Sequence, residues 1–354
     1  MSAERRLSPR KEVILRALVD EYIRTAEPVA SKQISDQLAC IHGPGYASAT
    51  VRNELVALEE EGLIYQPHIS AGRMPTDLGY RYFVERLMGE SQLAPQEQRL
   101  IRHQFYQVQH QLDEWVRLTA SIMAQALQSA AIITPPRGSQ ARIKHFELLA
   151  LYDAVALLVL VLEDGAVRQE RLLLDTPTTQ EELSRLAQRF NERFHGADAQ
   201  FVSQCAEVET ESISPNELLV LESLARMLSH LDVFSPDAFY HDGITQLLQR
   251  DEFTHADPER IRKVVEVLEH SRFLPAIAPQ VMAAEGVQVI IGSENPSDDL
   301  RDMSIVLSRY GVEGQVGGLL GIVGPTRMQY GRAIAVVRYM TQMLNDLLSD
   351  MYGS

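Results

Sequence analysis

The residues with the most recognisable binding chemistry form a short run, Ser48-Ala49-Thr50-Val51-Arg52-Asn53. An arginine side chain can donate two hydrogen bonds to guanine, and an asparagine amide can pair with adenine through two hydrogen bonds. Hydroxyl groups and the N–H groups at a helix start can hold phosphate oxygens. A helix that began with this run would therefore present groups able to read a nucleic-acid groove.

The apolar spacing after this point predicts a helix over residues 49–61, with Ser48 as its N-cap and Gly62 at its end. One narrow sector of that helix holds Val51, Leu55 and Leu58. At about 100° per residue, the other sides of its first turns hold Ala49, Thr50, Arg52 and Asn53. Such residues are also common on protein surfaces. The helix alone is therefore explained equally well as a structural helix whose polar face is simply solvated.

A hairpin predicted directly after this helix adds a second group of candidate residues. Two short extended pieces flank a glycine turn, and the tip has the sequence His68-Ile69-Ser70-Ala71-Gly72-Arg73. A projecting hairpin can place an arginine on a phosphate or in the minor groove, which makes Arg73 a candidate. Arg73 by itself fits an ordinary surface charge, but helix and hairpin together favour DNA binding. His68 and Ser70 are the other candidates at the tip.

Helices and the hairpin must position these side chains within the first 90 residues. The apolar patterns predict helices over 9–23, 32–39, 49–61 and 77–88. Helix, helix, helix, hairpin is the order of a winged helix-turn-helix domain, in which the second helix of the pair enters the groove. Lys32, at the start of the preceding helix, supplies further local positive charge.

The overall charge at first argues against a nucleic-acid partner. The 354 residues contain 33 basic and 48 acidic side chains, which gives a formal net charge of -15. Residues 1–90 contain 11 basic and 13 acidic side chains, a net of -2, so the remaining -13 belongs to residues 91–354. Whole-chain charge is therefore a poor guide to the N-terminal region.

Cysteine content and hydropathy restrict the class of protein further. The two cysteines, Cys40 and Cys205, exclude a disulfide framework and a cysteine zinc site, and they favour a reducing cytoplasm. The N-terminus lacks the apolar stretch of a secretory signal. The longest apolar run, Ala154–Leu162, is shorter than the roughly 20 residues that a membrane-spanning helix needs. We therefore expect a cytoplasmic protein that does not enter a membrane.

The rest of the chain alternates between helical and strand patterns. Strands are predicted over 143–152, 154–163, 166–174, 287–291, 303–310 and 318–323. Helices are predicted over 93–131, 181–194, 215–231, 242–250, 257–270 and 325–352. Strands on both sides of a helical block predict one α/β domain that contains an insertion.

Catalytic and cofactor chemistry is poorly represented. Glycines 311, 314, 317, 318, 321 and 324 lack the G-K-[ST] ending of a phosphate-binding loop and the G-x-G-x-x-G spacing of a dinucleotide site. They are better explained as turn and strand-packing glycines. No metal-ligand set or nucleophilic triad stands out, so we expect no enzyme, no cofactor and no metal site. Arg327 could bind an anion, but we prefer a role at a helix start or an interface.

Several segments together closely resemble the HrcA heat-inducible transcription repressors. The N-terminal segments are Glu27-Pro28-Val29-Ala30-Ser31-Lys32, Ser48-Ala49-Thr50-Val51-Arg52-Asn53-Glu54 and Gln66-Pro67-His68-Ile69-Ser70-Ala71-Gly72-Arg73-Met74-Pro75-Thr76-Asp77. The C-terminal segments are Gly292-Ser293-Glu294-Asn295 and Gly321-Ile322-Val323-Gly324-Pro325-Thr326-Arg327-Met328-Gln329-Tyr330. The middle, roughly 90–280, matches mainly in length and pattern. The turn at 42–46 is longer and richer in Gly and Pro than the family pattern.

The resemblance implies a multidomain α+β fold. Residues 1–90 would form a winged helix-turn-helix DNA-binding domain. Residues 91–205 and 280–354 would form a GAF-like α/β domain with an N-terminal linker helix. Residues 206–279 would form an inserted dimerisation domain, helical or α+β, that interrupts it.

The resemblance also implies partners and a function. The family represses class I heat-shock, or chaperone, operons by binding an inverted repeat called CIRCE as a dimer, and its activity is modulated by the GroEL chaperonin. The expected partners are therefore double-stranded DNA, GroEL and a second copy of the chain. The alternative is a ligand-sensing transcriptional regulator with a small effector in the GAF-like domain.

Overall fold

The computed structural model has a mixed helix and sheet fold, in which the N-terminal helices are followed by two larger groups of elements. The structure describes residues 6–42, 46–69, 71–89, 91–108, 112–138, 141–152, 154–163, 165–209, 213–232, 239–254, 257–269, 273–312 and 316–352.

The N-terminal group, residues 6–89, is called the head below. Its elements in chain order are α1 (Pro9–Thr25), α2 (Ser31–His42), α3 (Ser48–Glu60), β1 (Ile64–Tyr65), β2 (Met74–Pro75) and α4 (Asp77–Tyr82), which continues as a π-helix over Phe83–Leu87. Hydroxyl groups cap two of these helices: that of Ser8 accepts from Lys11 N before α1, and that of Thr76 accepts from Gly79 N before α4.

The head helices pack around one apolar core. Buried side chains from α1, α2 and α3 meet there, including Ile14, Leu18, Ile34, Leu55 and Leu58. β1 and β2 pair antiparallel, with Ile64 opposite Pro75 and Tyr65 opposite Met74. Arg73, just before β2, exchanges backbone hydrogen bonds of 2.9 Å with Val29 ahead of α2. The hairpin is thereby tied to the loop between α1 and α2.

The second group, called the body, surrounds a six-stranded sheet. Its helices are α5 (Pro95–Gln107), α6 (Leu112–Leu127), α10 (Ile244–Leu248), α11 (Asp251–Thr254), α12 (Pro258–Glu269), α13 (Leu274–Ala283) and α14 (Tyr330–Tyr352). Its strands are β3 (Ala130–Ile133), β4 (Arg137–Gly138), β8 (Tyr240–Asp242), β9 (Val287–Ile291), β10 (Met303–Val312) and β11 (Val316–Pro325). The antiparallel order is β8-β3-β11-β10-β9, and β4 pairs with β11.

Helices cover both faces of this sheet. Alternate residues of β10 point to opposite sides, so that Val306 packs into the core shared with α6 and α14, while Ile305 and Leu307 pack against α10–α13. The predicted packing role of Gly321 is confirmed, because a Cβ there would lie 2.3 Å from the carbonyl oxygen of Val306. The strand needs glycine because its neighbour passes too close for a side chain.

The third group, called the insert, lies between β4 and β8 in the chain. It consists of β5 (Ile143–Tyr152), β6 (Val155–Leu162), β7 (Val167–Leu173), α7 (Gln180–Phe194), α8 (Ala199–Glu209) and α9 (Pro215–Asp232). The three strands form a separate antiparallel sheet. One face of that sheet packs on the helices to form a core of its own, with Phe146, Leu158, Leu160, Phe194 and Leu224 fully buried.

This grouping differs from the division expected from the sequence. The expectation placed the strands of 143–174 in the same domain as those of 287–323 and began the insertion at residue 206. In the structure the two sets of strands belong to different sheets, and α7 and α8 share a core with β5–β7. The buried side chains of residues 143–228 pack on one another, which groups them as one unit.

Candidate nucleic-acid interface

Helix α3 presents its polar face to solvent because its apolar sector is fully buried. Val51, Leu55 and Leu58 have no exposed surface and hold the helix on the rest of the head. Arg52 and Asn53 lie on the other side of the helix and are exposed, as the helical spacing predicted. The two side chains with base-reading chemistry therefore lie next to each other on the open side of α3.

The start of α3 differs from the predicted cap. Ala47 is the N-cap and makes no side-chain hydrogen bond, while Ser48 is the first helical residue, so the prediction that Ser48 caps the helix is wrong. Ser48 and Ala49 are exposed, and Thr50 is half-buried. The hydroxyl of Ser35 on α2 donates a 2.7 Å hydrogen bond to the Tyr46 carbonyl oxygen, which anchors the chain just ahead of α3.

The hairpin tip lies in the open, with support from one amide. His68 is exposed, and Ile69 is fully exposed. The side-chain amide of Gln66 donates to the carbonyl oxygens of Ile69 at 3.1 Å and Ala71 at 2.7 Å. Ser70 lies outside the described residues. The sequence analysis did not select Gln66 as a residue that supports the hairpin tip. The only sequence feature that pointed to this role was its position just before the predicted turn.

Arg73 lies beneath the hairpin. Its Nε donates to Glu59 Oε2 of α3 at 3.1 Å, and only 13% of its side chain is exposed. With the backbone bonds to Val29, this residue connects the hairpin, α3 and the loop before α2. In the DNA-free structure Arg73 is thus a brace between elements.

The basic side chains of the head divide into paired and exposed groups. Lys11 lies 2.5 Å from Glu61, whose carboxylate accepts its hydrogen bond and thereby raises the pKa of Lys11. Arg10 lies 4.0 Å from Glu54. Lys32 and Arg52 are exposed and form no ion pair within the described ranges. Glu54 of α3 and Glu61 just after α3 therefore pair with basic side chains of α1, while Lys32 and Arg52 keep their charge available.

In the described parts of the chain, no group of three or more His, Cys, Asp or Glu side chains could hold a metal ion. None of the helices in those parts is both long and apolar enough to cross a membrane.

The chain is similar to a family of transcription repressors over almost its whole length. Residues 113–334 match the family model described as the HrcA protein C terminal domain. A heat-inducible transcription repressor HrcA from Herpetosiphon aurantiacus is 45% identical, with 98% of this chain and 97% of that protein covered. Repressors of the same name from a Roseiflexus species and from Chloroflexus aurantiacus are 44% and 40% identical over 98% of this chain and 96% and 95% of their own lengths.

A solved structure shares the fold. A crystal structure of a hypothetical protein at 2.2 Å resolution superposes with a TM-score of 0.57 at 22% identity, covering 98% of this chain and 99% of that one.

The relatives define the class of protein as a transcription repressor, and DNA binding follows from that class. The chain belongs to the HrcA family of heat-inducible transcription repressors.

Proposed function

We propose that this protein represses class I heat-shock operons by binding the CIRCE inverted repeat as a dimer, in the cytoplasm. The observation that carries the proposal is the exposed polar face of α3, on which Arg52 and Asn53 lie side by side while the apolar face is fully buried. Guanine and adenine edges in the major groove match these two side chains.

The head acts as a winged helix-turn-helix domain in this proposal. Helices α2 and α3 supply the helix pair, and the β1–β2 hairpin supplies the wing. Phosphate oxygens would be held by Lys32, Ser48, Thr50 and the uncapped N–H groups at the start of α3, where Ala49 leaves room for a close approach. At the wing, His68 and Ser70 would contact the DNA backbone or minor groove, and Arg73 would exchange Glu59 for a phosphate.

The domain arrangement within this proposal follows the observed sheets and cores. Residues 91–138 and 239–352 would form the GAF-like domain around the six-stranded sheet, and residues 141–232 would form the inserted dimerising domain. These bounds replace the expected insertion at 206–279, because the strands and helices of 143–228 share one core.

The open face of the insert's sheet supports dimerisation with a second copy. β6 is aliphatic on both sides, so that Val155, Leu157, Val159 and Val161 lie partly exposed on the face away from the helices. Leu149 of β5 and Leu173 of β7 extend this apolar face. A two-fold contact places the same patch on both partners.

The same face offers a reason for control by GroEL. A protomer without its partner would leave the aliphatic side chains of β6, with Leu149 and Leu173, open to solvent, and apolar side chains of this kind are what a chaperonin holds. GroEL binding to that protomer would protect it until it pairs. Unfolded clients that occupy GroEL during heat stress would then lower the amount of active dimer.

The experiment is a titration of the full chain against a duplex that carries the CIRCE inverted repeat, with a scrambled duplex as control. We expect at least about a thousandfold preference for the repeat at physiological salt, since specific repressors reach this ratio. Equal affinity for both duplexes at all salt concentrations would refute the proposal.

A second candidate, regulation by a small effector, rests on one observation. A cavity of about 440 Å³ between α5 and α14 is lined by Gln98, Arg102, Arg338 and Tyr339. Its lining has two arginines against one carboxylate, Asp346, and this balance favours an anionic effector. A screen of small organic anions by thermal unfolding, repeated with Arg338→Ala, tests it: a rise in Tm with the unaltered chain alone supports the effector role.

A further inference from the structure

Two segments of the body that the sequence singled out, 292–295 and 324–330, meet the head in the structure. Neither segment takes part in the proposed reading of DNA. Their contacts join α1 and α4 of the head to β9, the turn after it and the start of α14. These contacts together are called the head clasp below.

An ion pair between α4 and the turn after β9 is the first part of the head clasp. Arg81 Nε donates to Glu294 Oε1 at 2.8 Å, a second guanidinium nitrogen contacts the other carboxylate oxygen, and the guanidinium also donates to the Val289 carbonyl oxygen at 2.6 Å. Glu294 is fixed in turn, because its carboxylate accepts from Ile291 N at 2.8 Å. The hydrogen bond to Glu294 raises the pKa of Arg81. This two-point geometry specifies orientation as well as contact.

A carboxylate at the start of α4 makes the second part. Asp77 accepts a 2.8 Å hydrogen bond from Ser293 N. Gly292, at φ +52°, makes this approach possible, since a Cβ there would lie 2.3 Å from the Asp77 carboxylate. Any other residue at 292 would push α4 away from the body.

The end of α1 and a ring contact make the third part. Arg327 donates to the Ile23 carbonyl oxygen at 2.8 Å, near the C-terminus of α1, where the helix dipole favours a cation. Its Nε donates to Glu252 Oε1 at 2.8 Å, and 12% of its side chain is exposed. The rings of Tyr80 and Tyr330 lie 5.7 Å apart. The preferred interface role of Arg327 agrees with these contacts.

The head clasp fixes the direction of α3 without covering it. It holds α1, on which α3 packs, and α4, which follows the hairpin, so the head cannot rotate on the body as long as the clasp is closed. Arg52 and Asn53 remain exposed in this arrangement. A rigid connection is useful where two heads must reach two half-sites at a fixed spacing.

We propose that the head clasp holds the two heads of a dimer in the orientation that matches an inverted repeat, with Arg81 and Glu294 as its positioning residues. This inference rests on the proposed function. An open clasp leaves each head able to read a half-site, but both heads then lose rotational freedom when they bind together, and this cost lowers affinity for the full repeat.

Charge reversal tests the head clasp. Arg81→Glu and Glu294→Arg should each lower affinity for the inverted repeat about tenfold while leaving affinity for a single half-site within about twofold. The double variant Arg81→Glu/Glu294→Arg restores the ion pair but not the hydrogen bonds to Val289 and Ile291, so it should recover part of the lost affinity. Asp298→Arg is the matched control, because it reverses a nearby charge that pairs with Arg301 in the body. A direct contact of Arg81 with DNA would instead lower half-site affinity and give no recovery in the double variant, which would overturn the proposal.

Hydrogen exchange measured by mass spectrometry gives a readout that needs no DNA. Exchange over residues 288–295 should quicken in each single variant and slow again in the double variant, with α2 and α3 unchanged as proof that the head is folded. Unchanged exchange over 288–295 in both single variants would overturn the head clasp. Failure of the unaltered chain to distinguish the repeat from a scrambled duplex, with the exchange pattern as expected, would instead refute the proposed function.

Discussion

At the scale of single residues, the proposed function assigns specificity to two neighbouring side chains of α3, Arg52 and Asn53. Arg52→Ala and Asn53→Ala should each reduce the preference for the inverted repeat over a scrambled duplex by about 1–3 kcal/mol, because each removes a two-point contact to a base edge. Gel-shift titrations on both duplexes measure this change. Glu60→Ala, an exposed residue near the other end of α3, is the control and should leave the preference unaltered.

Arg73 should contribute to affinity for DNA of any sequence rather than to sequence preference. If Arg73 reaches a phosphate, Arg73→Ala lowers affinity evenly across sequences and reduces the salt slope of binding by about 1. Glu59→Gln removes the negative charge that pairs with Arg73, and it should strengthen binding to all duplexes by up to about 1 kcal/mol. A salt slope unchanged in Arg73→Ala would mean that this side chain serves only as a brace.

Residue types could be predicted from the sequence, but their partners could not. The exposed position of Arg52 and Asn53 followed from the spacing of three apolar residues. The Gly- and Pro-rich turn before α3 left the cap position open, and the prediction of Ser48 as the cap failed. The ion pair of Arg73 with Glu59 depends on packing between elements, which no local pattern encodes.

At the scale of elements, helix α7 protects the outer edge of the insert's sheet. The Asn191 amide accepts from Phe146 N at 2.9 Å and donates to the Phe146 carbonyl oxygen at 2.7 Å. The side-chain amide of Gln180 bonds the same edge further along β5: it accepts from Ala150 N and donates to the Leu148 carbonyl oxygen. These side chains take the place of a neighbouring strand, so β5 cannot extend the sheet into another chain.

Asn191→Ala should therefore lower the free energy of unfolding by about 1–3 kcal/mol, because it leaves two strand backbone groups without partners. Denaturant unfolding of the full chain, followed by circular dichroism, measures this loss. Arg185→Ala on the exposed side of the same helix removes only an i,i+4 ion pair with Glu181 and should cost less than about 0.5 kcal/mol. Equal losses in the two variants would show that the amide does not support β5.

The sequence predicted long elements well and short ones poorly. The strands of the insert were found almost to the residue, since each is long and bounded by turn signals. β3 was merged into the predicted helix over 93–131, because both faces of Ala130–Ile133 are buried and the segment lacks a period-2 pattern. β4 and β8 have two and three residues, too few to show any period.

At the scale of the whole molecule, the grouping of strands into sheets could not be read from local patterns. β3 pairs with β11 across almost the full length of the body, and the insert's strands lie between them in sequence without joining them. Such long-range pairing is decided by which buried faces match, which only the folded chain displays. The proposed function also accounts for the net charge of -15, because an acidic molecule would bind DNA well only through correctly placed heads.

The open sheet face makes a testable prediction about oligomeric state. Leu149→Asp places a charge on that face and should convert the proposed dimer to a monomer, since a buried unpaired charge is costly. Sedimentation velocity at micromolar concentration measures the change. Leu100→Asp on α5 is the matched control, because Leu100 is also an exposed leucine but lies in the body. A Leu149→Asp chain that stays dimeric would place the dimer contact elsewhere.

The most direct test of a two-headed repressor is the response to half-site spacing. Inserting five base pairs, about half a helical turn, between the half-sites turns one of them to the opposite side of the duplex. We predict that affinity then falls to that of a single half-site, a loss of about a hundredfold or more, because only one head can bind. Equal affinity for the original and the lengthened repeat would contradict the account.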